Sequence, residues 1–497
     1  MTDENFSDLD KLGPISRRGV IAAAGASVLL SACDDAVSSR GSKRASSDDQ
    51  RPNIIFILAD DLGFADLSCF GRRDYETPNI DRLAAGGLRF TDAYSNSPVC
   101  SATRTALMAG QYQYRLPVGL EEPLAGRNVG YEKGRMSMPL AFQQAGYQTA
   151  LVGKWHLGDL PDYNPLESGY DHFWGIKPGG VGYFTYKSMS GDVDLWDGET
   201  RIEETGHLTD LLGIRAVEMV DRFAQSDDPF FLSLHFTAPH WPWIGPNDQA
   251  ESARIEQSPN PFALVHYDGG NLETYAAMVN QLDVQVGKLL DRLDQLGLSE
   301  NTIVVFSSDN GGERFSDTWP FSGRKTEVLE GGIRVPTIMR WPAGSLPSGV
   351  SEVPIMSMDW FPTFLAMAGI NAPADYTFDG LDMSENISGG TLPERDLYFR
   401  YKLHDQAAVR RGKWKYLRIA GNEFLFDIVA DPLERGNLKL REPVIFAELQ
   451  AAYAAWNETM LPYDEDSMSA GQQGATSADR FGLEPSEGAV GRFNWGR

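Results

Sequence analysis

Two pairs of oxygen-bearing side chains, Asp60-Asp61 and Asp309-Asn310, each follow directly on an apolar stretch of this 497-residue chain. Carboxylate and amide oxygens suit a hard divalent cation, Ca2+ or Mg2+, rather than zinc. One Asp-Asp pair is usually a solvated turn. Two pairs behind buried strands are a different matter, because clustered carboxylates repel one another unless a cation joins them. Cationic and imidazole groups stand in a second set of short stretches: Lys154 and His156 in Gly153-Lys154-Trp155-His156, His240 in Ala238-Pro239-His240, and Lys325 in Gly323-Arg324-Lys325. Taken singly, these read as a surface Lys, a satisfied core His and a turn. The candidate nucleophile is Cys100, in Cys100-Ser101-Ala102-Thr103-Arg104 with Gly110 six residues after the Arg. Ser97-Pro98-Val99 is a turn-like entry into a helix. A thiol at a helix start is expected to be activated, since unpaired N–H groups and the helix dipole favour an anion there. The bland alternative is a buried structural Cys that precedes an Arg.

The elements that must position these groups are legible as alternating strands and helices. Asn53–Ala59 is a continuous apolar run, as expected for a strand buried on both faces of a parallel sheet. Thr149–Val152, Phe230–Phe236 and Thr302–Phe306 read as further strands. Helices are predicted over Pro78–Ala85, with Pro at its first position, over Met138–Ala145, and over about Glu273–Leu296, where Met278, Leu282, Val286, Leu289 and Leu293 recur at helical spacing. The alternation predicts an α/β fold with a large, mostly parallel sheet flanked by helices. Every unusual polar cluster follows the C-terminal end of a strand, the edge at which sites form in open α/β sheets. After about Pro393 the texture changes to short strands with turns between them, at Leu397–Phe399, Ala407–Val409, Trp414–Leu417 and Phe424–Phe426, and a helix near Ile445–Trp456. That predicts a smaller C-terminal antiparallel-sheet subdomain.

Ala59-Asp60-Asp61-Leu62-Gly63, the Cys100–Arg104 stretch, Gly153-Lys154-Trp155-His156, Ala238-Pro239-His240, Ser308-Asp309-Asn310-Gly311-Gly312 and Gly323-Arg324-Lys325 resemble, in order, the motifs of the type I, formylglycine-dependent sulfatases. That family belongs to the alkaline-phosphatase-like superfamily, and the resemblance runs from Asn53 to about Pro336. It implies hydrolysis of sulfate monoesters by a formylglycine hydrate made from Cys100 by a maturase. It implies calcium held by Asp60, Asp61, Asp309, Asn310 and the modified Cys100. It implies that Arg104 holds the formylglycine, that Lys154 and Lys325 stabilise the sulfuryl oxygens, that His240 and Lys325 stand at the leaving oxygen, and that His156 is the base. The chain departs from the commonest family form at Ala102 and Thr103, where Pro and Ser are usual.

Net charge is -25, from 44 Lys and Arg against 69 Asp and Glu, which argues against nucleic acid as a partner. At the site the balance is expected to reverse. Asp60, Asp61 and Asp309 give three negative charges, whereas Arg104, Lys154, Lys325 and one divalent cation give five positive, net positive by two. An anionic sulfate ester fits that sign. Trp241-Pro242-Trp243 follows His240, and Trp155, Trp174, Trp196 and Tyr183 lie in expected mouth loops, where aromatic faces suit sugar rings or aryl groups. Trp241 and Arg324 are expected to touch substrate beside Lys154, His240 and Lys325; His172 and Arg314 are further pocket candidates. A sulfated carbohydrate or an aryl sulfate is the expected substrate. Phosphonate or phosphodiester hydrolysis with the same modified Cys is one alternative, and an inactive lipoprotein that binds sulfated glycans is another.

The N-terminus reads as an address. Ser16-Arg17-Arg18 precedes an apolar run, Val20–Ala32, too short to span a bilayer. The paired Arg resembles a twin-arginine export signal, and Leu30-Ser31-Ala32-Cys33 resembles a bacterial lipobox. The expected organisation is a signal over 1–33, a tether over 34–50, a catalytic domain over 51–393, a C-terminal α+β subdomain over 394–466 and a tail over 467–497. The expected location is the periplasm or an envelope membrane, reached through a lipid on Cys33. With three Cys in separate settings (Cys33, Cys69, Cys100), no disulfide framework is expected.

Overall fold

The computed structural model describes residues 51–463, apart from 121–127, 160, 261, 345 and 392–393. The export signal, Cys33, the tether and the tail lie outside the described residues.

Both faces of the central strand are covered, which is why it reads as an unbroken apolar run. Along β1 (Asn53–Asp60), Ile55, Ile57 and Ala59 join one core cluster, while Ile54, Phe56 and Leu58 join the cluster on the opposite face. The first cluster takes helices α1 (Pro78–Ala85), α4 (Leu208–Phe223) and α6 (Leu272–Gln295); the second takes α2 (Cys100–Ala109) and α3 (Met138–Gln144). A further helix, α5, covers Gln249–Glu256. Local signals set the helix starts. The Asn271 side chain accepts a bond from the Thr274 N–H to cap α6, and Ser137 accepts from Leu140 to cap α3. In α6, Met278, Leu282, Val286, Leu289 and Leu293 are all buried.

The remaining strands are β2 (Leu88–Phe90), β3 (Ala93–Tyr94), β4 (Gln148–Lys154), β5 (His172–Ile176), β6 (Trp196–Asp197), β7 (Thr200–Arg201), β8 (Phe230–Pro239), β9 (Thr302–Ser308), β10 (Thr337–Arg340), β11 (Gly349–Ser351), β12 (Ile355–Met356), β13 (Asp396–Tyr401), β14 (Gln406–Arg411), β15 (Trp414–Ile419) and β16 (Asn422–Asp427). The large sheet has ten strands in the order β11-β2-β10-β9-β1-β8-β4-β5-β6-β7. Its centre, β9-β1-β8-β4-β5, is parallel. The β2–β10–β9 and β5–β6–β7 pairings are antiparallel, so the sheet as a whole is mixed. The ends of the four central strands β9, β1, β8 and β4 therefore lie side by side at one edge, and Asp60, Asp61, Lys154, His156, His240, Asp309 and Asn310 all stand at or just after those ends.

The second sheet is the expected antiparallel meander, β13-β14-β15-β16, closed on one face by a helix over Pro443–Asn457 through Leu449 and Tyr453. Its other face, with Leu397, Phe399, Leu417 and Phe426, shares a core with Val99, Ala102 and Ala106, the start of the helix that carries Cys100. A buried ionic cluster joins the same two parts. Lys415 Nζ stands 2.8 Å from Glu330 and 2.9 Å from Glu434, Tyr94 donates to Glu330 at 2.6 Å, and Arg410 donates to the Tyr94 hydroxyl at 2.6 Å. Burial and the neighbouring Glu330 push Glu434 up to about 7, against the pull of Lys415. Lys415→Met should destabilise the chain by about 3–5 kcal/mol, because two buried carboxylates lose the cation they share. A shift of the urea midpoint checks this; an unshifted midpoint would show that the cluster is energetically idle.

Candidate active site

Helix α2 begins at Cys100, after an extended Val99, and ends at Gly110, whose φ of 63° is the left-handed turn that closes many helices. All ten of its residues are buried. Leu107, Met108 and Ala109 face the large sheet, and Ala102 and Ala106 face the smaller one. Small residues on the second side let the helix wedge between the two. Cys100 is thus a helix-start residue as expected, but a buried one. Burial pushes its pKa well above the ordinary thiol value. Lys154 and Lys325 pull the other way, and Asp60 and Asp309 add to the rise.

The acidic set converges on this helix start. Cys100 Sγ lies 3.8 Å from Asp61 Oδ1, and one ligand atom from each of Asp60, Asp61, Cys100 and Asp309 falls within 4.8 Å of the others. Parallel pairing explains the meeting, since Ala59 on β1 is in register with Ser308 on β9 and Asp60 with Pro239 on β8. Two oxygens of the set, Asp60 Oδ1 and Asn310 Oδ1, are buried with no hydrogen-bond partner among the described residues. Orphaned buried oxygens beside further carboxylates fit a hard cation, and His240 also stands within ligand reach of Asp60 and Cys100.

Each carboxylate also has a cation of the protein against it. Lys154 Nζ is 2.5 Å from Asp60, Lys325 Nζ is 2.7 Å from Asp61, and Arg104 binds Asp309 through Nε at 3.0 Å and Nη2 at 2.9 Å. Arg104 Nη1 donates to the Lys154 carbonyl at 3.0 Å. Arg104 is therefore tied to Asp309 and to the end of β4, not to residue 100 itself. Burial opposes ionisation of Asp61, but Lys325, His240 and Lys154 outweigh it and hold the pKa at about 2. Asp309 goes the other way, to about 6, driven by burial and by Asp60 against Arg104 and Lys154. Burial lowers His156 and His240 well below the ordinary imidazole value, aided by Lys154 for the first and Lys325 for the second. Both rings are neutral near pH 7. Burial disfavours the charge on Lys325, yet Asp61, the Cys100 site and Glu313 raise its pKa well above that of a free Lys.

The backbone is unusual at three of these places. Asp61 (φ 62°), His156 (φ 54°) and Thr326 (φ 72°), which follows Lys325, all lie in the left-handed region. Such conformations cost ~1–3 kcal/mol each and persist where surrounding contacts over-determine them. The loop Gly179-Gly180 closes over the two histidines. A Cβ at Gly179 would stand 2.8 Å from both Cε1 and Nε2 of His156, and one at Gly180 would stand 3.1 Å from His240 Cε1. Gly179→Ala should displace the His156 ring and lower kcat/KM by about 10²-fold, the cost of a misplacement near 1 Å. Steady-state kinetics beside an unshifted melting temperature check this; unchanged kinetics would mean that the ring moves without penalty.

Lys154, His156, His240, Lys325, Cys100 and the metal-ligand candidates come together as expected. Trp241 is half-buried, with its ring 4.3 Å from that of His240, and Arg324 is half-buried beside Lys325. The other aromatic expectations are overturned. Trp155, Trp174 and Trp196 are buried. Trp155 donates to the Tyr163 carbonyl, and Trp196 lies under Lys177. Tyr183 is buried too, its hydroxyl 2.9 Å from the carbonyl oxygens of Thr237 and His240, so it braces the His240 turn from beneath. Arg314 stacks on buried Trp243 and donates to the carbonyls of His266, Tyr267 and Gly269. His172 pairs with Ala150, four residues short of Lys154, and so stands ~13 Å back from the reactive edge. Burial of the aromatic groups and the stacking of Arg314 are packing, and the setback of His172 is strand register; a single sequence displays neither.

Two residues were missed. Glu313 lies 3.1 Å from Lys325 Nζ, which reduces the expected local charge from net positive two to one. Its only signal was its place four residues after Asp309. His235, inside β8, has Nδ1 3.4 Å from Arg104 Nη1 and 3.2 Å from the Lys154 carbonyl. A lone imidazole in an apolar strand was the available signal.

The sequence profile of the family described as Sulfatase matches residues 52–370. N-acetylgalactosamine-6-sulfatase of Canis lupus familiaris is 33% identical over 396 residues, covering 74% of this chain and 71% of its own length. N-acetylgalactosamine-6-O-sulfatase of Bacteroides thetaiotaomicron is 28% identical, covering 85% of this chain and 95% of its own. Among solved structures, Ps i-CgsB in complex with k-i-k-neocarrahexaose superposes with a TM-score of 0.76 at 30% identity, over 89% of this chain and 99% of that one.

Proposed function

Because the chain belongs to the sulfatase family and is a sulfuric ester hydrolase, we propose that it removes sulfate from a carbohydrate, using a formylglycine formed from Cys100 and a bound calcium ion. The observation that carries this reading is the convergence of Asp60, Asp61, Cys100 and Asp309 within 4.8 Å at the edge that also presents Lys154, His240 and Lys325. The two N-acetylgalactosamine sulfatases and the oligosaccharide in the Ps i-CgsB complex support a sugar sulfate as the substrate.

Asp60, Asp61, Asp309, Asn310 and the side chain at residue 100 would hold the cation, which would acidify a bound hydroxyl and neutralise sulfuryl oxygens. A hydrated aldehyde at residue 100 would supply the attacking hydroxyl. The chain's own groups do the rest. Lys154 and Lys325, both charged and buried, meet the oxygens on which charge grows, each such donor contributing ~2.7–4 kcal/mol. His240 Nδ1 lies 2.7 Å from the Trp241 carbonyl. A carbonyl only accepts, so Nδ1 carries the hydrogen and Nε2 of the neutral ring is bare. His240 then orients and accepts, which leaves Lys325 as the donor to the leaving oxygen. His156 has two ring nitrogens buried without a partner among the described residues, and a neutral imidazole so placed is suited to take a proton.

The test is turnover by full-length protein co-expressed with a maturase. An N-acetylgalactosamine 6-sulfate substrate should be hydrolysed in preference to aryl phosphonate esters, and a preference for the phosphonate would sink the reading. A strong chelator should abolish turnover and added Ca2+ should restore it; turnover that survives full chelation would remove the cation from the scheme. Ser16-Arg17-Arg18 and the Leu30–Cys33 stretch support export with a lipid on Cys33, which mass analysis of the mature N-terminus checks.

A further inference from the structure

A cavity of about 250 Å3 lies beside the turn that carries His240. One wall is the loop leaving Gly179-Gly180, which contributes Gly182, Thr185 and Lys187. Another is Pro242, two residues past His240, and a third is α5, which contributes Ser252 and Glu256. The Cβ position of Gly180 is 3.1 Å from His240 Cε1 and 3.5 Å from the Trp241 ring. Two residues of chain span at most ~7 Å, so the first two walls begin within that reach of Gly180 and His240. The cavity is large enough to admit a sugar ring. Hydroxyls of Thr185 and Ser252 stand beside the apolar faces of Pro242 and Ile244, a mixture that matches the hydroxyls and C–H faces of a saccharide. Lys187 and Glu256 are the ionisable lining residues, and they are paired with each other. The cavity therefore offers no uncompensated cation to a second sulfate.

We propose that this cavity binds an uncharged sugar unit joined through a glycosidic bond to the unit that bears the scissile sulfate. The protein would then read an oligosaccharide, with affinity gained one ring away from the reacting centre. The assignment rests on the carbohydrate reading above.

The experiment compares kcat/KM of the matured full chain for N-acetylgalactosamine 6-sulfate and for a trisaccharide carrying that unit beside unsulfated sugars. Wild type should favour the trisaccharide by at least about tenfold. Ala263→Trp, which fills the cavity from its half-exposed rim, should bring the ratio of the two towards one. Lys187→Gln, a milder change at a half-exposed residue, should lower the same ratio about threefold and decides the matter if the Trp variant does not fold. Equal wild-type kcat/KM for the two sugars, or a ratio that neither variant moves while both sugars are still hydrolysed, overturns the cavity assignment alone. Hydrolysis of an aryl sulfate with no turnover of either sugar overturns the carbohydrate reading, and the assignment falls with it.

Discussion

Cys100→Ala should reduce sulfate-ester turnover by at least about 10⁴-fold while leaving the melting temperature within a few degrees of wild type. The size follows from what is removed: a group that acts as one unit with its neighbours costs nearly the whole chemical acceleration when deleted. The stability expectation follows from the size of the side chain, since Ala keeps the helix start and loses only one sulfur from a packed but polar pocket. The measurement is turnover by matured wild type and variant, beside peptide mass at residue 100. The thiol supplies the reason for expecting modification. An unmodified thiol carries no second hydroxyl through which a sulfated intermediate could expel sulfate, so Cys100 as it stands has no route to turnover. Fully active protein with an intact thiol at residue 100 would refute the aldehyde route.

Arg104→Met should be costly in two separable ways. Arg104 is buried and meets Asp309 with two nitrogens and the Lys154 carbonyl with a third. Removing it leaves a buried carboxylate without its protein counter-charge, a loss of about 3–5 kcal/mol in stability. It also releases Asp309, already pushed up to about 6 by burial and Asp60, towards protonation. The sign is fixed by the direction of that shift. A carboxyl whose folded pKa lies above its unfolded value gives stability that is full below the unfolded pKa and lost as pH rises through the folded one. Without Arg104 that folded value rises further, so the variant should be most deficient at neutral and alkaline pH and least so near pH 4. Urea midpoints across that range check it, and an excess of added Ca2+ should narrow the deficit by binding the folded state. A deficit independent of both pH and calcium would show that Arg104 acts through packing alone.

The chemistry of the motifs was legible from their occurrence together and in order, since Lys154, His156, His240 and Lys325 taken singly have bland readings. Asp60-Asp61 and Asp309-Asn310 announce oxygen ligands, and the apolar runs before them announce strands, because a strand covered on both faces must be apolar at every position. Glu313 and His235 escaped that reading for opposite reasons. Glu313 sits in a polar loop where an acid is commonplace, and His235 sits in a strand where only its neighbours in space give it a partner. Trp155, Trp174 and Trp196 were misread because indole is equally at home in a pocket mouth and in a core, and burial alone separates the two.

Residue types and their order along the chain determined the fold class and the reactive edge of the sheet, since both follow from local periodicity, whereas the ligand and proton-transfer sets came only from the resemblance of the motifs, taken together and in order, to a family. Tertiary packing decided the rest. It raised rather than lowered the Cys100 thiol, turned Asp61 and His156 into left-handed conformations, closed Gly179-Gly180 over the histidines and brought Glu313 to Lys325. These depend on desolvation and on charges only a few ångströms apart, which are properties of separation in space and not of separation along the chain.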